Sequence, residues 1–333
     1  MFPCLLLPRK RTLRKVMSGK KGPAKDSAKP ALPSGIVLKE ESSDQIPLNG
    51  RVGASDWQVL SATVRGAAHR RNGEPNQDAL SWWMAEGKRP VAVLCMADGH
   101  GGSEYTRSDI GALLAVEQTQ MLLVSEILPL ILSGSTRKDL AQFNRHFRQQ
   151  LPKLLVNRWR ASVYEHATDN PVQEGGKLVQ SDAPKERLYG ATLLAALLTP
   201  EFHLYIQLGD GDMLTVSSEG EVTRPPFPAD SNLIANHTTS LCSKEAWRFV
   251  NVHFQQIDER PPSLVMLTTD GYANSFANDS DFKKVARDLH SAIKREGLTA
   301  VANSLPIWLE ATSQDGSGDD ISIIIATANS QQE

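Results

Sequence analysis

Three cysteines among 333 residues, Cys4, Cys95 and Cys242, are too few and too scattered for a disulfide framework, and no pair has zinc-site spacing. They fit a reducing cytoplasm. Neither sign of charge is in excess: 36 lysines and arginines against 38 aspartates and glutamates leave a net −2. That balance excludes the broad basic face with which proteins neutralise nucleic-acid phosphates. Long apolar runs are missing too, since no stretch of about 18 apolar residues occurs. The opening "MFPCLLLPRKR" has too short an apolar stretch for a secretory signal, and its charges follow that stretch instead of preceding it. The sequence predicts a soluble cytoplasmic protein with no membrane insertion and no nucleic-acid partner.

Residues 1–50 also have almost no aromatic residues, Phe2 alone, and are rich in Lys, Arg, Pro, Ser and Gly. This composition predicts a disordered basic tail, with translation starting at Met1 or Met17, ahead of a folded domain over residues 51–330. From Asp56 the pattern changes. "WQVLSATV", "PVAVLCMA", "ATLLAALL", "FHLYIQLG", "DMLTVSS", "SLVMLTT" and "ISIIIATA" read as strands bounded by Gly, Pro or Asp. Residues 108–131, 136–167, 280–297 and 299–312 carry apolar positions at helical spacing. "LGDGDMLTVSSEGEVTRPP" reads as two hairpins in series, which implies antiparallel pairing. Helices come in clusters and do not alternate with strands, so the fold class is layered α+β.

Four of these strands end or begin in bare carboxylates: Asp98, Asp210, Asp270, and the pair Asp319 and Asp320. Any one Asp-Gly step alone is an ordinary turn. Several together are different, because strands laid side by side bring their ends into one place. Carboxylates about 4 Å apart repel by roughly 4 kcal/mol at an effective dielectric of 20, and protons or cations must relieve that. Oxygen donors without a Cys or His cluster point to Mg²⁺ or Mn²⁺, with Ca²⁺ second because no EF-hand loop is present. After Asp98, "GHGG" lets the backbone approach a ligand, so the Gly99 carbonyl could join a metal shell. His100, beside it, is a candidate general acid.

"MADGHGG", preceded by "NQDA" and followed by "YGATLLAAL", "LGDGDMLTV", "VMLTTDGYANSF" and "GDDISIII", resembles in order the motifs of the protein phosphatase 2C family of metal-dependent phosphatases. The resemblance covers about residues 55–328, and "NQDA", "YGATLLAAL" and "TTSLC" are most similar to its bacterial branch. It implies a four-layer α-β-β-α sandwich, two antiparallel sheets flanked by helices, holding two Mg²⁺ or Mn²⁺ ions. It implies that Asp98 bridges both ions, that Gly99, Asp270, Asp319 and Asp78 complete the cluster, and that Asp210 and Asp320 stand behind it. The implied reaction is attack of metal-activated water on phosphoserine or phosphothreonine in a protein substrate, His100 protonating the leaving oxygen, in opposition to a protein kinase.

The chain departs from the family pattern at several positions. Gln77 stands where a glutamate is usual before Asp78, and Asp320 where asparagine is usual. The family's phosphate-gripping arginine would fall on Gly73, so Arg70 or Arg71 is the candidate for that contact. Arg187 occupies the place of an acidic ligand for a third metal, which is therefore not expected. Two other classes stand beside the enzyme: a pseudophosphatase that binds phosphoprotein without turnover, and another two-metal phosphoesterase such as a nuclease. Retention of Asp98, His100, Asp270 and Asp319 favours catalysis over the first, and the lack of a broad basic surface disfavours the second.

Overall fold

The computed structural model describes residues 34–36, 45–50, 57–85, 89–133, 137–174, 177–178, 185–227, 239–257 and 261–328, all within one compact unit that begins at Pro33. Two six-stranded sheets make up its centre. The first runs in the order β1 (Ser34–Ile36), β4 (Asp78–Ala85), β5 (Val91–Asp98), β8 (Leu193–Leu198), β9 (Phe202–Leu208), β12 (Asn251–Gln256). The second runs β11 (Val222–Thr223), β10 (Asp212–Val216), β13 (Leu264–Thr268), β14 (Ile321–Ala328), β3 (Trp57–Val64), β2 (Gln45–Gly50). Every pairing in both is antiparallel. A small hairpin, β6 (Gln173–Glu174) with β7 (Lys177–Leu178), stands apart.

Alternation along the strands makes three apolar layers. Val59, Leu94, Met96, Leu194, Leu267 and Ile324 meet between the sheets. The outer face of the first sheet packs on α2 (Ser108–Leu122), α3 (Leu128–Ser133) and α4 (Arg137–Asp169), with Val116, Leu155 and Trp159 fully buried. The outer face of the second packs on α6 (Asp279–Glu296) and α7 (Leu298–Asp315). The α-β-β-α sandwich expected from the motifs is therefore the fold. Strands β1 and β2 fall inside the stretch that composition assigns to the tail; the rest of residues 1–56 lies outside the described residues.

Local chemistry explains the helix ends. Asn278 caps α6 by accepting from the Asp281 N–H at 3.0 Å, Phe282, Ala286, Leu289 and Ile293 form its buried stripe, and Gly297 ends it at φ 84°. Ser108–Leu132 is a 25-residue helical stretch that, charged residues notwithstanding, is long enough and on average apolar enough for a membrane span by length and composition; half of its most apolar window is buried inside the fold. Its five residues Leu123–Ile127 form a π turn between α2 and α3.

One hairpin expectation fails. Gly209-Asp210-Gly211-Asp212 does not fold β9 back on β10, because β9 pairs with β8 and β12 while β10 pairs with β13 and β11. The turn carries the chain from one sheet to the other. Gly209 sits at φ 99°, where a Cβ would lie 2.5 Å from Thr192 Cγ2, so only glycine fits. The second expected hairpin, over Ser218–Glu221, is present between β10 and β11.

Candidate metal centre

The strand ends converge at one end of the sandwich. Asp78 opens β4 and Asp98 closes β5, and the two are direct register partners. Asp270 follows β13 and opens α5 (Asp270–Ala273), while Asp319 and Asp320 precede β14, the neighbour of β13. Backbone contacts lock this arrangement. The Gly99 N–H donates to Gln77 O at 3.1 Å, the Thr192 N–H donates to Asp98 O at 2.8 Å, and the Asp98 N–H donates to Thr192 Oγ1 at 3.0 Å. A Cβ on Gly99 would stand 2.6 Å from Ser108 O, so the sheet and α2 approach here only through glycine.

Electrostatics shows that the carboxylates share one space. Burial raises Asp78 well above the usual carboxylate range, and the charges of Asp320 and Asp319 push it further. Asp98 is raised well above it by burial first and then by Asp78 and Asp270. Burial also raises Asp270 and Asp319. Asp78 is 3% exposed; its Oδ2 accepts from Thr269 Oγ1 at 2.9 Å, but its Oδ1 has no partner. Among the described residues, no lysine or arginine pairs with Asp78, Asp98 or Asp270. A buried carboxylate oxygen without a donor, in a set of oxygen ligands that repel one another, fits a hard divalent cation.

Asp320 has another occupation. Its Oδ1 accepts from the Gly66 N–H and its Oδ2 from the Gln77 N–H, both at 2.6 Å, and His69 Nδ1 lies 2.9 Å from Oδ2. It thereby ties the start of α1 (Ala67–Asn72) and the approach to β4 to the root of β14. Both oxygens face donors, so Asp320→Asn puts an NH₂ against an N–H. We expect it to cost about 2 kcal/mol in metal-free urea unfolding. A loss under ~0.5 kcal/mol, the range of an ordinary surface change, would contradict that role.

Gln77 acts through its backbone on both Asp320 and Gly99. Asp210, exposed in the inter-sheet turn, raises His100, Asp270 and Asp319 through its charge. His100 is half-buried, its N–H donating to Gly190 O at 3.0 Å and its ring edge-on to Tyr105 at 5.1 Å. Burial lowers its pKa and Asp210 opposes that.

Two of the three arginines noted in the sequence have acidic partners. Arg70 is held by Glu310 of α7 at 2.8 Å, Arg71 is exposed, and Arg187 is exposed and paired with Glu104. The residue that α1 does bring to the carboxylates is His69, which sequence reasoning passed over. Its Nε2 lies 3.7 Å from Asp319 Oδ1, and the Asp320 contact raises its pKa. The "HRR" cluster carries the signal, but a phosphate contact points to its arginines and not to the histidine.

Comparison with known proteins agrees with the motifs. The protein phosphatase 2C profile matches residues 65–310. A bacterial serine phosphatase superposes with a TM-score of 0.52 at 12% identity, covering 83% of this chain and 99% of that one. The serine/threonine phosphatase Stp1 from Staphylococcus aureus gives 0.52 at 13% identity, covering 85% of this chain and 100% of its own. Identities this low show a shared fold. No curated protein matches the chain. With its profile spanning most of the sequence and the sandwich in place, the chain belongs to the protein phosphatase 2C family.

Proposed function

We propose that this protein is a cytoplasmic, Mg²⁺- or Mn²⁺-dependent phosphatase that removes phosphate from phosphoserine and phosphothreonine in proteins, opposing a protein kinase. The observation that carries this reading is the convergence of Asp78, Asp98, Asp270 and Asp319 without a cationic side chain to neutralise the first three. Asp98, Asp78, Asp270, Asp319 and the Gly99 carbonyl would hold two ions. When bound, such ions acidify water and offset the charge of phosphoryl oxygens.

The chain's own groups do the rest. Thr269 fixes the Asp78 carboxylate from one side while its Oγ1 also accepts from the Ser322 N–H at 2.9 Å, so the residue after β13 and the start of β14, both of the second sheet, orient a ligand of the first. His100 stands next to the cluster with its backbone pinned to Gly190 and its ring braced by Tyr105, which suits it to deliver a proton to the departing serine or threonine oxygen. Arg70 is committed to Glu310, so of the two arginines Arg71 is the one we assign to the substrate phosphate.

The test is hydrolysis of an aryl phosphate by purified protein. Activity should appear with Mn²⁺, vanish in excess EDTA and return when Mn²⁺ is restored. Turnover that persists in EDTA would overturn the metal-dependent reading.

A further inference from the structure

His69 is a nitrogen at the edge of a site read so far as all oxygen. It sits on α1, a six-residue helix that Asp320 holds against the root of β14. Its two ring nitrogens have different surroundings. Nδ1 lies 2.9 Å from Asp320 Oδ2, a carboxylate already accepting two backbone N–H groups. Nε2 faces the opposite way, and its nearest carboxylate oxygens are Asp319 Oδ1 at 3.7 Å and Glu74 Oε2 at 3.8 Å. Those separations are too long for hydrogen bonds. They fall within the roughly 3–4 Å that separates two donors sharing one cation through bonds of about 2 Å.

His69, Asp319 and Asp320 each offer a donor atom within 4.8 Å of the others. In the same set of carboxylates, Asp78 Oδ1, on a residue 3% exposed, has no hydrogen-bond partner. Nδ1 meets Asp320 as a 2.9 Å ion-pair contact without an aligned hydrogen bond, and a carboxylate behind the far nitrogen of an imidazole makes the near nitrogen a better metal donor.

We propose that His69 Nε2 is a metal ligand that joins Asp319, with Asp320 orienting the imidazole, so that one position of the centre is a mixed nitrogen-oxygen site selecting Mn²⁺ and later first-row ions over Mg²⁺. The inference rests on the metal-dependent reading above. It adds a ligand and a selectivity to it. Imidazole suits the first-row transition ions, whereas Mg²⁺ prefers an all-oxygen shell with several waters.

The experiment is electron spin echo spectroscopy of the full-length protein, untagged, loaded with Mn²⁺. Wild type should show nitrogen modulation that changes when histidine alone is labelled with ¹⁵N. His69→Ala should lose the modulation while still binding at least one Mn²⁺. His100→Ala, which removes the other histidine near the cluster, should keep it. Asp320→Asn, which releases the ring, should weaken Mn²⁺ at that position about 10- to 100-fold. Because a substitution near Gly66 could unsettle the fold, the wild-type label comparison stands alone as the deciding measurement. Bound Mn²⁺ without histidine nitrogen modulation would overturn the His69 ligand and leave the metal centre standing; absence of any bound Mn²⁺ would overturn both.

Discussion

Asp98→Asn should make the metal-free protein more stable and the metal-loaded protein inactive. In EDTA the substitution removes a carboxylate whose charge is opposed by burial and by Asp78 and Asp270, and Asn keeps its shape. Full repulsion at 4 Å would be about 4 kcal/mol, but protons already relieve part of it, so we expect a gain of about 1–2 kcal/mol and a rise of several degrees in Tm. With Mn²⁺ the order reverses. A ligand at 100 times its Kd stabilises wild type by about 2.7 kcal/mol, and the variant should lose most of that rise. Turnover should fall by about 10³-fold or more, because Asp98 would supply part of the negative charge that holds the ions. Scanning calorimetry of both proteins in EDTA and in Mn²⁺ reads the crossing directly. Destabilisation of the variant in EDTA would mean that Asp98 is a structural residue and not a site kept at the expense of stability.

Gly111→Ala should cause a large loss of stability. On an open helix face this substitution stabilises by about 1 kcal/mol. Inside α2, however, the added Cβ would stand 1.8 Å from the backbone oxygen of Tyr189, a residue fully buried. Gly111 O also accepts from Trp159 Nε1 at 3.0 Å, and Tyr189 OH bonds Arg107 and His166, so neither side can retreat freely. We expect a loss of about 3 kcal/mol or more in urea unfolding. The sign is the diagnostic. Since Gly190, next in the chain to Tyr189, receives the His100 N–H, the residual folded protein should also show reduced activity.

How much of this the sequence reveals depends on where each signal is stored. β3 and β14 match their predicted limits because apolar runs bounded by turn residues are local signals. β4 was read only as the motif "NQDA": "DALSWWMA" is buried at seven of eight positions, so it shows no alternation. β12, "NVHFQQ", is a half-exposed edge strand too polar to stand out. The inter-sheet turn at Gly209–Asp212 looks like a hairpin because Gly and Asp specify a tight reversal and say nothing about which sheet receives the next strand.

The carboxylates were legible because each ends a strongly apolar strand. The occupation of Asp320 was not. Its donors, Gly66 and Gln77, lie more than two hundred residues away and use backbone N–H groups that no side-chain pattern encodes. His69 was hidden for the same reason, since its value depends on Asp320 and Asp319 at the far end of the chain.

A hydrolytic metal centre built from the converged carboxylates, as proposed above, should act on phosphorylated serine and threonine. The most direct measurement is phosphate release from a phosphothreonine peptide in saturating Mn²⁺, wild type against Asp270→Asn. Wild type should release phosphate steadily, and the variant should lose nearly all of that release. Equal release by the two, or none by metal-loaded wild type, would contradict a hydrolytic metal centre.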